Sequence, residues 1–305
     1  MLHWLMAALL AAAPPAPSPI ERRIAARLRS FAGTMGVAAT HLETGEVIAV
    51  NADTRFPTAS AIKTAVMVEV LHQVAAGRIG KEQLLTLTDD VKVGGSGVLH
   101  DLRGGSQYSV GELLYLMIAL SDNTATNMLI GLVSTRNVDD RMAAYGLPLT
   151  RLYRPTFRGG QADVFPEEEK EFGLGSSTPR EMARLMELIA RGQVVSREAC
   201  DEMIALLGKQ QFRDMVPRRL PDGGGVAVAN KTGMDEEKQP DATGTRGAVR
   251  ADAAIVTTPK GRYVIAIFAR RVKDTRWTVD NDALVTGGEV SRMVFDHFVG
   301  RGTTR

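Results

Sequence analysis

Three short motifs hold residues suited to nucleophilic chemistry. Ser60-Ala61-Ile62-Lys63 sets a hydroxyl and an amine three residues apart. On a helix that spacing shares one face, so the Lys63 nitrogen can reach the Ser60 hydroxyl. A serine alcohol needs a base beside it to attack. A lysine serves as one only when neutral, through desolvation or a neighbouring positive charge. A helix start at Ser60 would add free N–H groups for a developing oxyanion. Ser121-Asp122-Asn123 offers a hydroxyl to relay a proton and an amide to hold a peptide-like substrate. Lys231-Thr232-Gly233, immediately after an expected strand, offers donors and a backbone that can pair with an extended substrate. Taken singly, each has a plainer reading: a capping serine with a surface lysine, a helix-capping stretch, a strand end with a turn glycine.

The elements around the motifs follow from periodicity and caps. Helices are expected over residues 19–31, 61–76, 109–120, 124–133, 138–145, 178–190, 198–207 and 281–299. Ser18-Pro19-Ile20-Glu21, Ser109-Val110-Gly111-Glu112 and Thr178-Pro179-Arg180-Glu181 supply N-terminal caps. Strands are expected over 36–40, 46–50, 226–229, 253–257 and 263–270. Strands at both ends and helices between them predict an α/β (α+β) fold of two lobes. One antiparallel sheet is built from both chain ends with flanking helices, and an all-helical lobe is inserted. The expected division is a leader and Pro-rich linker over 1–17 and one catalytic domain over 18–305. Its sheet lobe spans about 18–58 and 222–305, and its helical lobe about 59–221.

Composition narrows the classes. A formal net charge of +2 gives no electrostatic case for nucleic acid as a partner. Arg218-Arg219 and Arg270-Arg271 read as solvated faces. The single cysteine, Cys200, excludes an internal disulfide and reads as a small buried side chain. The five histidines are scattered with no HExxH spacing, so neither metal nor cofactor is expected. Residues 4–13 are apolar but too short to span a bilayer, and Ala11-Ala12-Ala13 offers a cleavage site. Export to the periplasm or medium is expected, although no Lys or Arg precedes the run and Pro14 follows it. No later segment is long and apolar enough for stable membrane insertion. A monomer acting on a small molecule is the expected form.

The three motifs occur in one order, each at an expected element end, and together they resemble the signature of class A β-lactamases and penicillin-binding proteins. The likeness covers about residues 20–300, including Ser177-Thr178-Pro179 and the strand over 263–269. It implies Ser60 as nucleophile, Lys63 as its base and Ser121 as proton carrier to the leaving nitrogen. Asn123 would hold the substrate amide. Lys231 and Thr232 would face its carboxylate, with Lys231 also depressing the Lys63 pKa. Gly233 completes that motif, and the N–H of Met234 after it would form the oxyanion hole with that of Ser60. Arg250 is either a second carboxylate contact or one half of a surface ion pair with Asp252 or another acid.

The family pattern breaks at one place. Class A enzymes carry a loop glutamate that activates the deacylating water, and here Thr156 stands where it is expected. Asp163, Glu167, Glu168, Glu169 and Glu171 follow it. One of them could substitute, or they form a solvated acidic helix turn. Three activities therefore stay open: β-lactam hydrolysis with slow deacylation, D-Ala-D-Ala peptidase or transpeptidase chemistry, and weakly active binding of β-lactams or cell-wall peptides.

Overall fold

The computed structural model describes residues 16–159 and 162–300. The leader-like run and its cleavage site lie outside the described residues. From the N-terminal side come helix α1 (Pro19–Leu28) and strands β1 (Thr34–His41), β2 (Val47–Val50) and β3 (Phe56–Pro57). Ser18 Oγ accepts from Glu21 N while the Glu21 carboxylate accepts from Ser18 N, closing the capping box that starts α1. A 3₁₀ turn, Ala59–Ile62, leads into α2 (Lys63–Ala75).

The inserted lobe follows with β4 (Leu84–Thr86), β5 (Gln107–Ser109), α3 (Val110–Ala119), α4 (Asn123–Val133), α5 (Thr135–Ala144), β6 (Arg151–Leu152), α6 (Pro166–Phe172), β7 (Gly175–Ser177), α7 (Pro179–Ala190) and α8 (Arg197–Leu207). Beside its helices this lobe carries two short ladders, β4–β5 and β3–β7–β6. The chain then returns to the sheet with β8 (Ala227–Glu236), β9 (Ala248–Thr258) and β10 (Gly261–Val272), and closes on α9 (Asp282–Gly300).

The main sheet has the order β2-β1-β10-β9-β8, every pair antiparallel. Its two faces are both covered, so its strands read as apolar runs. On β10, Val264, Ala266 and Phe268 enter the core shared with the inserted lobe. Ile265, Ile267 and Ala269 enter the core under α1 and α9. Cys200 is buried in the helical lobe, its thiol donating to the Val194 carbonyl. Among the described residues no helix is long and apolar enough to cross a membrane.

Two strands run further than expected. β8 continues through Lys231-Thr232-Gly233 to Glu236, so this motif lies inside a strand and not after one. β9 likewise includes Arg250-Ala251-Asp252. The polar residues pair along the ladder, with Thr232 opposite Asp252 and Met234 opposite Arg250. Backbone pairing thus overrides weak β-propensity. β8 is an edge strand of this sheet, and it packs on the turn that carries Ser60. A Cβ on Gly233 would fall 2.2 Å from the Thr58 carbonyl and 3.0 Å from the Ser60 nitrogen. Only glycine allows that approach.

Candidate active site

Ser60 lies half-buried in the 3₁₀ turn before α2. The preceding residue, Ala59, has φ +43°, a left-handed conformation that a non-glycine residue holds only when its surroundings impose it. Lys63 is fully buried. Its Nζ donates to Ser121 O (2.6 Å), Asn123 Oδ1 (2.8 Å) and Ser121 Oγ (3.2 Å). The expected side-chain contact between Ser60 and Lys63 is not made: among the described residues no side-chain hydrogen bond joins them, and the Lys63 backbone N–H donates to the Ser60 carbonyl. Ser60 sits in the tighter 3₁₀ turn, so the α-helical geometry behind that expectation begins only at Lys63. Catalytic contacts are often loose without substrate.

Ser121 stands between two lysines. Its Oγ is 3.2 Å from Lys63 Nζ and 3.1 Å from Lys231 Nζ. Lys231, also fully buried, donates in addition to the Thr232 carbonyl (2.8 Å). Burial is the main force holding the Lys63 pKa well below that of an ordinary lysine. The positive charge of Lys231 adds to it, and Asp122 opposes it. Burial likewise lowers Lys231 to about 7, against the pull of Asp252. Asp252 is itself pushed up to about 7 by burial.

The neighbours fix this arrangement. Asp122 caps α4 through Ala125 N (2.8 Å) and holds the loop over the cleft through Val98 N (2.7 Å) and Leu99 N (2.9 Å). Asn123 Nδ2 donates to the Gly94 carbonyl (3.0 Å), which orients the amide whose oxygen meets Lys63. The Asp235 carbonyl turns toward β9, where Arg250 Nη1 reaches it at 3.1 Å. Strand alternation then turns the N–H and C=O of Met234 to the free edge of β8. That edge faces a cleft of about 100 Å³, whose lining includes Ser60, Asn123, Thr156, Phe157, Met234, Asp235 and Trp277. A larger hollow of about 430 Å³ is lined by Glu171, Glu237, Asp241, Arg270 and Lys273 and holds none of the motif residues. These five side chains pair with one another.

Arg250 is not the surface ion pair that the sequence allowed. It is buried, and its guanidinium donates to the carbonyls of Asp235, Val249 (2.9 Å) and Arg276 (2.9 Å) beneath the Trp277 ring. Asp252 instead accepts from Asn230 Nδ2 and Val216 N, both at 2.9 Å. Arg250 does not line the Ser60 cleft; it braces the strand and the Trp277 segment that do.

Thr156 does line that cleft. Asn127 clamps its backbone, accepting from Thr156 N (2.8 Å) and donating to Thr156 O (2.9 Å). The five acids after it are engaged elsewhere. Asp163 accepts from Thr135, and Glu167 pairs with Lys170. Glu168 takes Arg55 and Arg151, Glu169 takes Arg154 and Lys238, and Glu171 takes Arg270. None lines the cleft. The carboxylate that does is Asp235, which sequence reasoning missed. Its signal was its place directly after Met234, on the strand that continues the Lys231 motif. Among the described residues no cluster of histidine, cysteine or carboxylate side chains suits a metal ion.

Known proteins share this architecture. A β-lactamase from Sphaerobacter thermophilus is 30% identical, with 93% of this chain and 98% of that one covered at a TM-score of 0.77. PBP-A is 28% identical, with 95% and 100% covered and a TM-score of 0.78. A leucine-to-glutamate variant of PBP-A, solved as an acyl-enzyme with penicillin G, is 29% identical over 95% and 100% at a TM-score of 0.77. The β-lactamase regulatory protein BlaB of Streptomyces cacaoi is 28% identical over 106 residues, a match spanning 34% of this chain and 34% of that protein. The model of the beta-lactamase enzyme family matches residues 19–298. With the fold shared across nearly the whole chain and the family matched from α1 to α9, this protein belongs to the beta-lactamase enzyme family, on the class A branch that also holds penicillin-binding proteins.

Proposed function

We propose that this protein opens β-lactams through an acyl-enzyme on Ser60 and releases the product slowly. The observation that carries the reading is the placing of Ser121 Oγ within hydrogen-bond distance of two buried lysines. With Lys63 neutral, its lone pair is free for the Ser60 proton, and Ser121 Oγ, accepting from Lys231, can give its own proton to the departing nitrogen and regain one from Lys63. Lys63 then takes the Ser60 proton as the serine attacks the lactam carbonyl. The oxyanion forms against the N–H groups of Ser60 and Met234. The proton passes through Ser121 to the departing nitrogen, which breaks the C–N bond and leaves the ester on Ser60. The substrate carboxylate faces Lys231 and Thr232, and Asn123 holds the amide of the acyl side chain.

A second reading, acyl transfer from D-Ala-D-Ala peptides, draws on one observation. Thr156 gives the cleft no carboxylate at the expected place, and that chemistry needs none there. Weak binding without turnover is the third. A leader over residues 4–13 agrees with cell-wall or antibiotic substrates met outside the cytoplasm. One experiment separates these readings. Expressed from Met1 in a Gram-negative host, the protein is expected in the periplasm with a shortened N-terminus. Purified from there, it is expected to hydrolyse benzylpenicillin and to release little D-Ala from an acyl-D-Ala-D-Ala peptide. D-Ala release with no net penicillin hydrolysis would select the peptidase reading; neither activity would select the binding one.

A further inference from the structure

We propose that Asp235 selects the acyl donor, its carboxylate receiving a cationic nitrogen carried on the carbon next to the acyl amide, as in a donor with a free aminoacyl end. The proposal rests on the Ser60 acyl-transfer reading and adds the class of substrate to it.

The placement comes from the strand. A substrate laid along the free edge of β8 with its carboxylate at Lys231 and Thr232 and its scissile carbonyl at Met234 runs its acyl side toward Asp235. The Met234 carbonyl faces the same edge and accepts the acyl amide N–H. Asp235 is one strand residue further on, about 3.3 Å. Lining the same cleft as Ser60 and Met234, Asp235 is placed to meet the substituent one or two bonds beyond that amide. Asp235 lines the Ser60 cleft and also an adjoining hollow of about 250 Å³, and Thr156, Phe157 and Leu174 line both. The hollow leads away from Ser60 between β8 and the segment around Thr156, and gives the acyl side arm room.

The charge is unpaired. Among the described residues Asp235 makes no ion pair. One carboxylate oxygen accepts from Glu236 N (2.8 Å), and Oδ2 accepts from no described residue. Of the cations around it, Lys238 and Arg154 pair with Glu169 and Arg250 bonds three carbonyls, while Arg158 and Arg246 line the adjoining hollow without forming an ion pair to Asp235. Burial raises the Asp235 pKa, as it must for a carboxylate lacking a counter-ion. A substrate ammonium supplies that counter-ion. A second carboxylate on the same carbon would be repelled.

The test compares benzylpenicillin with its α-amino relative ampicillin and its α-carboxy relative carbenicillin. The second-order rate of adduct formation on Ser60 is followed by mass spectrometry. Wild-type protein is expected to acylate fastest with ampicillin and slowest with carbenicillin. The ampicillin-to-carbenicillin ratio is expected to fall by about tenfold or more in Asp235→Asn, the scale of one charge-assisted hydrogen bond. Asp235→Ala repeats the measurement should the asparagine variant fold poorly. Wild-type protein that takes carbenicillin as fast as ampicillin overturns the proposal with no variant needed. So does a ratio unchanged in the variants. Absence of any adduct with all three compounds overturns the acyl-transfer reading itself, and this inference with it.

Discussion

Lys63→Ala is expected to slow acylation of Ser60 by ~10²–10⁴-fold, the usual loss when a positioned general base is removed. The size of the effect follows from the setting of the amine. Lys63 is fully buried, with Lys231 as a like charge nearby, and both disfavour its protonated form. A base in this state works at pH values where an exposed lysine would be fully protonated. In wild-type protein acylation should therefore persist below the ordinary lysine range. It should fall only as the pH drops through the depressed Lys63 pKa, because the protonated amine cannot accept from Ser60. The variant should lose that acid limb along with the rate. Adduct formation measured by rapid quench from pH 5 to 9 checks both. An unchanged rate would give the proton to another group.

Deacylation is expected to limit turnover of the wild-type protein. A burst of product equal to the enzyme concentration should precede a slow steady rate. Acylation has its groups in place around Ser121. Deacylation needs a water aimed at the ester by a base, and the Thr156 hydroxyl cannot accept a proton at neutral pH. Loss of such a base costs ~10²–10⁴-fold. The five acids after Thr156 each bond another residue and none lines the Ser60 cleft, although Glu169 lines the adjoining hollow. Thr156→Glu is expected to raise the steady rate by about a hundredfold. Asn127 clamps the main chain at this position and not the side chain, so the clamp survives the change. Rapid turnover of wild-type protein with no burst would contradict the account. Asp235, the carboxylate that lines the cleft, would then be the group to replace.

The motifs and the two-ended sheet were legible because each rests on strong local signals. Capping boxes at Ser18 and Ser109 started helices where expected. The run Val264 to Ala269 read as a strand because both faces of β10 are buried. What stayed hidden lies where tertiary pairing overrules local preference. Lys231 to Glu236 is too polar to read as a strand, yet it pairs along its whole length with β9. The reach of that strand is what places Asp235 in the cleft, and no motif names it. The same extension of β9 buries Arg250, whose two roles in the sequence, substrate contact or surface pair, both presumed exposure. At Ser60 the spacing did not give the side-chain contact with Lys63 that was expected.

The most direct test of the account is the mass of the intact protein after exposure to benzylpenicillin. Wild-type protein is expected to gain the full mass of the antibiotic, mapped by peptide digestion to Ser60, and to lose it slowly after the free drug is removed. Ser60→Ala is expected to gain nothing. An adduct that persists in Ser60→Ala, or wild-type protein that hydrolyses penicillin while Ser60 never carries the acyl group at any time after mixing, would contradict the central claim.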